Sequence, residues 1–586
     1  MTMNKKTSVL LTALLLTASS CIPSSAQNLR IESLANDNSL IRIAPETTEK
    51  YLLLPIEDNA PESRISVVVD NQPVRSLNVR LALSKIDYYV PFELSEYHGK
   101  HLMLQTHVAV DHSNRGGVAS AVCLKNIKLS DTFDSKNREK YRPTFHHTPE
   151  YGWMNDPNGM FYKDGEWHLY YQYNPYGSMW GNMHWAHSVS KDLINWEHRG
   201  TVLSPDANGT IFSGSCIVDK ENTAGFGKDA VIAMYTSCIQ TPWGHDLQEQ
   251  SIAYSLDNGN TFHVYEGNPV LTADIVDFRD PNMFWNEDIK AWNLIMSAGQ
   301  EMRIYSSPDM KHWKEESRFG KDLGGHGGVW ECPDLMKLKV ETAKPNNRPT
   351  SKAQEKWVLV CNINPGGPAG GSATQYFIGD FDGHKFTVDN ESRYTNGGSL
   401  WQDYGKDHYA AVSFSNAPDG RQPMIAWMSN WQYANNVPTM QYRSANSIVR
   451  EPFLYYGQEF VNGKSVNGKC LFLGSRPSPE YTGKGLDKTV KVKGSCTVTL
   501  SNDEGEEFSV IYDQKAMTLT VDRSKSGETQ FSQDFAVPAV APVRNKLTSL
   551  RLFIDNSSVE VFGNDGEVAM TSLVFPKSKY NKISIK

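Results

Sequence analysis

The distribution of apolar residues along the chain predicts short β-strands in place of long helices. Within the first 140 residues, an apolar run at 65–69 leads into the turn sequence Asp70-Asn71-Gln72-Pro73, and apolar and polar positions alternate at 74–83 and 101–110. A polar stretch at 130–141 then interrupts the pattern. We therefore predict a small N-terminal β domain at residues 27–140, which is a packing or spacer domain or, alternatively, a sugar-binding module.

A second pattern, a polar turn followed by an aromatic residue, recurs four times between residues 141 and 452. The aromatic residues of successive copies are 66, 51 and 73 residues apart. Repeats of this length, each with several short strands, are typical of β-propeller blades, whereas an array of β-sandwiches would not so readily repeat one turn. The copies are Ser190-Lys191-Asp192 with Trp196, Ser255-Leu256-Asp257 with Phe262, Ser307-Pro308-Asp309 with Trp313, and Asp380-Phe381-Asp382 with Phe386. With the opening segment, they predict about five blades in residues 141–452.

The repeat stops near Pro452, and the rest of the chain shows plain alternation. Strands are predicted at 490–500, 507–512, 516–521, 550–554, 559–562 and 568–575. Turns such as Asn564-Asp565-Gly566 separate them. This pattern predicts a C-terminal β-sandwich at residues 453–586. The predicted fold class is all-β: a β-propeller followed by a β-sandwich, with an extra small N-terminal β domain.

The N-terminus has the features of an export signal. Lys5-Lys6 precede the apolar run 9–16, which is too short for a membrane anchor, so we predict a signal peptide at residues 1–26. Ala18-Ser19-Ser20-Cys21 resembles a bacterial lipobox, with Ala18 where leucine is usual, and implies lipidation of Cys21. Cleavage after Ala26 is the alternative. Both routes predict an exported protein: a lipoprotein of the cell envelope, or a soluble periplasmic or secreted protein that has no membrane partner.

Composition and charge exclude several functions. A chain of 586 residues exceeds the size of one hydrophobic core, and its net charge of −8, with acids and bases interspersed, predicts no nucleic-acid partner. The eight cysteines are scattered without metal-ligand spacing. The histidines of His146-His147 and His184-Trp185-Ala186-His187 do not complete a metal site, because neighbouring strand residues point to opposite faces. We predict no metal and no cofactor.

Three acidic residues stand in similar settings, beside aromatic residues and close to prolines. The segments are Trp153-Met154-Asn155-Asp156-Pro157-Asn158-Gly159, Phe278-Arg279-Asp280-Pro281 and Trp330-Glu331-Cys332-Pro333-Asp334-Leu335. Proline disfavours helix for the residue before it, and a single such acid would indicate an ordinary turn. Asp156, Asp280 and Glu331, however, are 124 and 51 residues apart and fall on different blades. Because the inner strands of a propeller converge, we expect these side chains to meet in one axial funnel.

These three segments resemble, nearly letter for letter, the signature boxes of glycoside hydrolase family 32, which contains invertases, inulinases and levanases. The similarity extends over roughly residues 141–586 and implies a five-bladed propeller. It also implies that Asp156 is the nucleophile, that Glu331 is the general acid and later base, and that Asp280 stabilises the transition state. Trp427 is expected to form a stacking wall, and Trp330 an aromatic wall beside Glu331. The sugar-binding residues implied by the resemblance are Asn155, Gln172, Trp180, Phe212, Ser213, Arg279 and Trp427.

The leading interpretation is an exported bacterial fructanase with a retaining mechanism. We expect it to release fructose from the ends of levan, inulin and sucrose. An endo-levanase or endo-inulinase of the same family, an inverting hydrolase similar to arabinanases, and a non-catalytic fructan-binding protein are the alternatives. The preference between β-2,1 and β-2,6 linkages, the role of the N-terminal domain and the oligomeric state stay open at this point.

Overall fold

A computed structural model of the protein describes residues 28–34, 38–107, 121–241, 244–341, 354–461, 464–465 and 468–586. The predicted signal peptide, including Cys21, lies outside the described residues. Strands dominate the regular structure, which confirms the all-β fold class. The helix α1 spans Val122–Asn126, and 3₁₀ turns occupy Ser95–Tyr97, Glu391–Arg393, Thr395–Gly397, Pro418–Gly420, Ala434–Asn436 and Pro479–Tyr481. No helix in the described ranges is long and apolar enough to cross a membrane.

The N-terminal region forms two antiparallel sheets around one core. Its strands are β1 (Leu29–Ser33), β2 (Asn38–Ile43), β3 (Tyr51–Ile56), β4 (Ser63–Val69), β5 (Gln72–Val79), β6 (Tyr88–Glu93), β7 (Leu102–His107) and β8 (Lys128–Ser130). One sheet has the order β1-β2-β7-β4-β5 and the other β6-β3-β8. Apolar residues from both sheets, such as Ile65 and Phe92, share one buried cluster. Asp70 and Asn71 take φ angles of 47° and 67°, which suit a tight hairpin between β4 and β5.

Four groups of four antiparallel strands follow, and the first and fourth groups also pair with later strands. The first two comprise β9 (Gly152–Lys163), β10 (Glu166–Asn174), β11 (His184–Ser190) and β12 (Trp196–Leu203), then β13 (Thr210–Asp219), β14 (Ala230–Ile239), β15 (Leu247–Ser255) and β16 (His263–Val264). The next two comprise β17 (Phe278–Asn286), β18 (Ala291–Ala298), β19 (Met302–Ser307) and β20 (Lys314–Phe319), then β21 (Val329–Glu341), β22 (Glu355–Asn364), β23 (Ala373–Phe381) and β24 (Phe386–Val388).

The last blade and its connections close the ring. Their strands are β25 (Leu400–Trp401), β26 (Tyr409–Ser413), β27 (Met424–Trp427), β28 (Tyr442–Arg443), β29 (Arg450–Gly457), β30 (Phe460–Val461), β31 (Lys464–Ser465) and β32 (Cys470–Pro477). The innermost strands β9, β13, β17, β21 and β26 contact one another in a closed cycle. β28 also pairs with β9 in parallel. The predicted five-bladed propeller is thereby confirmed.

The repeated turn lies between the third and fourth strands of four blades. In the first blade the turn follows β11, and the carboxylate of Asp192 accepts hydrogen bonds from the backbone N–H groups of Ile194 (3.1 Å) and Asn195 (2.8 Å). Asp309 receives equivalent bonds from Lys311 and His312. The short carboxylate satisfies backbone donors that the turn would leave free, which explains why the same residue type recurs there.

The C-terminal region is a sandwich of two sheets around a buried apolar cluster. Its strands are β33 (Asp487–Lys491), β34 (Cys496–Ser501), β35 (Glu507–Asp513), β36 (Thr518–Lys525), β37 (Ala539–Pro542), β38 (Ser549–Ile554), β39 (Ser558–Gly563), β40 (Val568–Leu573) and β41 (Lys582–Ile585). The sheet orders are β33-β38-β39-β40 and β37-β36-β35-β34-β41.

Two details of this region differ from the sequence-based expectation. The strand predicted at 490–500 is two strands in different sheets, because the chain crosses between the sheets at 492–495. Alternation reveals which side chains are buried, but not to which sheet a strand belongs. Strand pairing of the blades also continues past residue 452, since β29 pairs with β32 as far as Pro477.

A buried ionic cluster joins the propeller to the sandwich. Both ring nitrogens of His146 contact carboxylates of the sandwich, Asp555 at 2.8 Å and Glu560 at 2.9 Å. Glu560 also pairs with Arg450 of β29, which in turn contacts Asp403 at 2.8 Å. Burial opposes the charge on His146, but the two carboxylates outweigh burial and raise its pKa to about 9. His146 is therefore a structural cation at neutral pH.

Raising the pH is expected to weaken this junction. The imidazolium contribution is complete below pH 6.5, where His146 is protonated in both the folded and unfolded states, and is lost as the pH passes about 9. The shift corresponds to a loss of about 3 kcal/mol in the free energy of unfolding. Guanidinium unfolding of the wild type and His146→Gln at several pH values measures this loss. Equal slopes for the two proteins between pH 6.5 and 9 would contradict the assignment.

Candidate active site

Irregular strand pairing marks the places where the site residues lie. The register shifts of β13, β17, β21 and β26 fall between Ile211 and Gly214, Arg279 and Asn282, Glu331 and Asp334, and Tyr409 and Val412, and a shift between β9 and β10 places Gln172 opposite the Asn155–Asp156 step. A β-bulge bends a strand and redirects its side chains. The prolines of the three boxes suit such positions, because proline cannot donate to a regular ladder.

The backbone is strained at three of these bulges, where Asp280, Cys332 and Ala410 have positive φ angles. Asp280 has a φ of 65° and Cys332 a φ of 42°, in the left-handed region that non-glycine residues rarely adopt. The Asp280 N–H donates to Thr236 Oγ1 at 3.0 Å, and the Cys332 N–H donates to Asp280 Oδ2 at 2.9 Å. These bonds hold the strained segments, and such strain is common where side chains are pre-positioned for function.

Asp156 is held by three donors. Asn155 Nδ2 donates to its Oδ1 at 3.0 Å, and Ser213 Oγ donates to its Oδ2 at 2.7 Å. The thiol of Cys332 lies 3.4 Å from the same Oδ2. Asn155 is itself oriented by the indole N–H of Trp153 at 2.8 Å. The carboxylate therefore has a defined direction and retains some exposed surface.

The second and third carboxylates join the same cluster. Cys332 Sγ also lies 3.5 Å from Asp280 Oδ2, so one thiol contacts the carboxylates of two blades. Arg279 donates to Glu331 Oε1 from Nε (3.1 Å) and Nη2 (2.8 Å) and lies 3.9 Å from Asp280. The hydroxyl of Tyr409 donates to Glu331 Oε2. The side chain of Glu331 is 19% exposed, whereas Asp280 is 5% exposed.

Burial and mutual repulsion shift the proton affinities of two acids. Burial, reinforced by the charge of Glu331, raises the pKa of Asp156, while its hydrogen bonds oppose the increase. Burial also raises the pKa of Asp280 to about 7; Arg279 opposes this, and Glu331 and Asp156 add to it. Asp280 can therefore be protonated near neutral pH. The hydrogen bonds that Asp156 accepts favour its ionised form and partly offset the increase in its pKa.

Ser213→Ala is expected to move the acid limb of the kcat/KM pH profile to higher pH. The Ser213 hydroxyl lowers the pKa of Asp156, so its loss leaves more of the carboxyl protonated at a given pH. Hydrogen bonds to charged groups are stronger than those between neutral groups, so the shift should be measurable. Ser215→Ala is the matched control, because Ser215 Oγ accepts from the Met283 N–H. An unchanged acid limb in Ser213→Ala would contradict this role.

Several other predicted sugar-binding residues surround the acids. Gln172 is buried, and its Nε2 has no hydrogen-bond partner among the described residues. A buried amide donor without a partner suits a site that awaits a ligand. Trp180 is 40% exposed, and its ring packs edge-to-face on Phe212 at 6.2 Å. Phe212 directly precedes Ser213, whose hydroxyl donates to Asp156, so the exposed Trp180 and the half-buried Phe212 form a rim next to the segment of β13 that holds this carboxylate.

The structure contradicts the prediction that Trp427 and Trp330 form aromatic walls of the site. Trp427 has no exposed surface and packs against Trp153 (5.9 Å) and the half-buried Trp431 (4.7 Å), so it supports other rings and presents no face for stacking. Trp330 points away from its neighbour Glu331, because successive strand residues face opposite sides. Its ring is in the core, and its indole N–H donates to the Gly325 carbonyl at 2.8 Å.

Sequence reasoning missed two residues that contact the carboxylates. The scattered spacing of the cysteines does not distinguish Cys332, but its place between Glu331 and Pro333 in the third box is a signal that points to it. Tyr409 begins β26 without any nearby motif, and only ring closure brings its hydroxyl to Glu331. All seven described cysteines are free, and within the described ranges no three His, Cys, Asp or Glu side chains are arranged so that they could hold a metal ion.

A channel of about 440 Å³ runs farther along the same inner strands, and the three carboxylates are not among its lining residues in the described chain. Its wall includes Asp334, which belongs to the third box but accepts a hydrogen bond from the Ser413 N–H at 2.7 Å. The third box thus contributes Glu331 to the site and Asp334 to the wall of the channel. Asp334 provides a chemically matched comparison for the site acids.

Sequence comparisons agree with this geometry. Residues 146–462 match the glycosyl hydrolases family 32 N-terminal domain, residues 475–586 match the family 32 C-terminal domain, and residues 35–145 match a domain of unknown function (DUF4980). A levanase of Bacillus subtilis is 45% identical over 470 residues, covering 75% of this chain and 67% of the levanase.

Solved structures show the same relationship. The exo-inulinase of Aspergillus awamori is 34% identical with a TM-score of 0.66, over 77% of this chain and 96% of that one. A fructofuranosidase of Schwanniomyces occidentalis in complex with fructosylnystose is 33% identical with a TM-score of 0.66, over 78% and 95%. The propeller with its converging acids, the sandwich behind it and these matches establish that the chain belongs to glycosyl hydrolase family 32.

Proposed function

We propose that the protein is a retaining β-fructofuranosidase that removes fructose from the ends of levan- or inulin-type fructans and from sucrose. The observation that carries this proposal is the convergence of Asp156, Asp280 and Glu331 from three blades around the Cys332 thiol and the Arg279 guanidinium. The levanase, exo-inulinase and fructofuranosidase relatives support the substrate class.

The first chemical step transfers the fructosyl group to the enzyme. The Asp156 carboxylate attacks the anomeric carbon C2 while Glu331 donates its proton to the departing glycosidic oxygen, so one C–O bond forms as another breaks. Asp280, in its ionised form, binds hydroxyl groups of the ring and stabilises the positive charge of the oxocarbenium-like transition state. Asp156 and Glu331 are close enough for the charge of Glu331 to raise the pKa of Asp156, which supports their action on one sugar.

The second step releases fructose. Glu331, now deprotonated, takes a proton from water, and the resulting hydroxide attacks C2 and expels the Asp156 carboxylate. Two inversions leave the anomeric configuration unchanged. In the absence of substrate, Arg279 and Tyr409 hold the Glu331 carboxylate in a fixed position. This restraint limits the number of rotamers that the acid must give up on binding substrate.

Product analysis on levan, inulin and sucrose tests this proposal. Fructose as the early product from both polymers would support exo action, whereas a ladder of oligosaccharides would indicate an endo-acting enzyme. With methanol as acceptor, a retaining enzyme forms methyl β-fructofuranoside and an inverting enzyme forms the α-anomer. No release from any of the three substrates would leave a fructan-binding protein, and arabinose release from arabinan would indicate the arabinanase-like alternative.

We also propose that the protein is exported and anchored by a lipid on Cys21. The lipobox-like segment supports the anchor, and the extracellular exo-inulinase of Aspergillus awamori, 37% identical over 514 residues, supports export. Expression of the full chain in a bacterial host, followed by detergent phase partitioning, tests the anchor. The wild type should enter the detergent phase, and Cys21→Ala should not.

A further inference from the structure

The loop at 175–183 connects the N-terminal domain to the rim of the site. It joins β10 to β11 and carries Trp180, whose exposed ring contacts Phe212 beside Ser213. The loop has no regular secondary structure of its own. Its position must therefore be set by contacts with other parts of the molecule.

The N-terminal domain provides a buried set of hydrogen bonds to Ser178. The Ser178 hydroxyl donates to Asp58 Oδ1 at 2.7 Å, and its backbone N–H donates to the Tyr88 hydroxyl at 3.0 Å. The Tyr88 hydroxyl donates in turn to Asp58 Oδ1 at 2.8 Å. All three side chains are buried. Because unmade hydrogen bonds of buried groups are costly, this set strongly favours one loop position.

The two ends of the loop are also attached to the N-terminal domain. Tyr176 belongs to that domain's apolar core and stacks on Phe92 at 6.4 Å. Asn182 makes a reciprocal pair with the backbone of Asn78, accepting from its N–H and donating to its carbonyl, both at 2.8 Å. Tyr176 and Ser178 therefore attach the loop to the N-terminal domain before Met179 and Trp180, and Asn182 attaches it after them.

A second connection reaches Trp180 from the other side. Asp58 Oδ2 forms a buried ion pair with Arg443 at 3.0 Å. Arg443 donates to the Asn435 carbonyl at 2.6 Å, and Asn435 Oδ1 accepts the backbone N–H of Trp180 at 3.1 Å. Asp58 thus acts on the Trp180 segment through Ser178 and through Arg443.

We propose that the N-terminal domain is a positioning domain for the substrate rim, which holds Trp180 against Phe212 through Asp58 and Tyr88. This inference rests on the proposed function, because it assigns the domain to the binding of the fructan substrate. The domain contributes no group to the bond-breaking steps. Weakening the contacts between the domain and the loop should therefore raise KM, while kcat stays nearly constant.

Tyr88→Phe in the full-length protein tests the proposal, with Tyr89→Phe as matched control. Both remove one hydroxyl from β6, but Tyr89 packs against Lys128 at 4.9 Å and faces away from the loop. Tyr88→Phe is expected to raise KM for inulin-type oligosaccharides about fivefold, with kcat within about twofold of the wild type. Hydrogen exchange at the Ser178 amide should become faster in Tyr88→Phe only.

A double-mutant cycle adds a readout that general destabilisation would not produce. Trp180→Ala should raise KM, and Tyr88→Phe on that background should raise it no further, because both changes act through one ring. Ser178→Ala is a second test of the same contact should Tyr88→Phe fold poorly. Values of KM and exchange equal to those of Tyr89→Phe in both variants would overturn the proposal.

The two readouts separate this inference from the proposed function. A wild type without activity on any fructan would overturn the proposed function and with it the effect on KM. Exchange at Ser178 needs no substrate, so its acceleration would support positioning of the loop in either case.

Discussion

Asp156→Asn is expected to lower kcat on sucrose and inulin by about 10⁴-fold or more, because the amide cannot form the fructosyl ester. The neighbouring donors Ser213 and Cys332 contact Asp156 Oδ2, and the amide can keep an acceptor in that place. Substrate affinity should therefore change much less than kcat. Steady-state kinetics together with calorimetric binding of a fructo-oligosaccharide to the inactive variant measure both quantities.

Asp334→Asn is the matched control for this result. Asp334 is a buried aspartate like those of the site, but it lies on the channel wall and accepts the Ser413 N–H. An asparagine oxygen can accept the same bond, so activity should stay within about threefold of the wild type. If Asp156→Asn kept an activity similar to that of Asp334→Asn, Asp156 would not be the nucleophile.

Glu331→Gln is expected to lower kcat on sucrose by about 10²- to 10⁴-fold, because the departing oxygen is no longer protonated. The loss should depend on the leaving group. Fructosyl fluoride needs no proton to lose fluoride, so formation of the fructosyl-enzyme should be fast again. Hydrolysis of this ester lacks its general base and should stay slow. The expected result is a burst of fluoride equal to the enzyme concentration, with a fructosyl adduct on Asp156 detected by mass spectrometry.

Azide provides the complementary measurement for Glu331→Gln. This anion attacks without a general base, so it should restore turnover of fructosyl fluoride and yield fructosyl azide. Glu341→Gln controls for the loss of a carboxylate on the same strand, since Glu341 pairs with Arg476 at the solvent end of β21. Equal losses on sucrose and fructosyl fluoride, with no response to azide, would contradict the acid–base role.

Much of the site could be predicted because its acids have local signatures. Asp156, Asp280 and Glu331 each stand in a segment with proline and aromatic neighbours, and the bulges at these segments are the structural counterpart of that composition. The spacing of the segments matches their distribution over separate blades. Trp427 and Trp330 show where prediction from the sequence fails, since a large aromatic residue in a strand suits a core as well as a sugar-binding face.

Contacts between distant segments were not predictable in the same way. Tyr409 reaches Glu331 across 78 residues, and Asp58 reaches Ser178 across 120. Neither tyrosine nor serine carries a local sign of such a partner. The role of Cys332 likewise depends on two carboxylates from other blades that meet at its thiol.

The amino-acid sequence alone determined the strand-rich class, the blade repeat and the three acidic segments, because alternation, turn residues and proline act within a few residues of chain. Only the tertiary structure decided which face each aromatic presents, which donors surround Asp156 and how the N-terminal domain reaches Trp180. Those contacts form only after the ring of blades closes and the domains pack, since each joins groups that no local preference brings together.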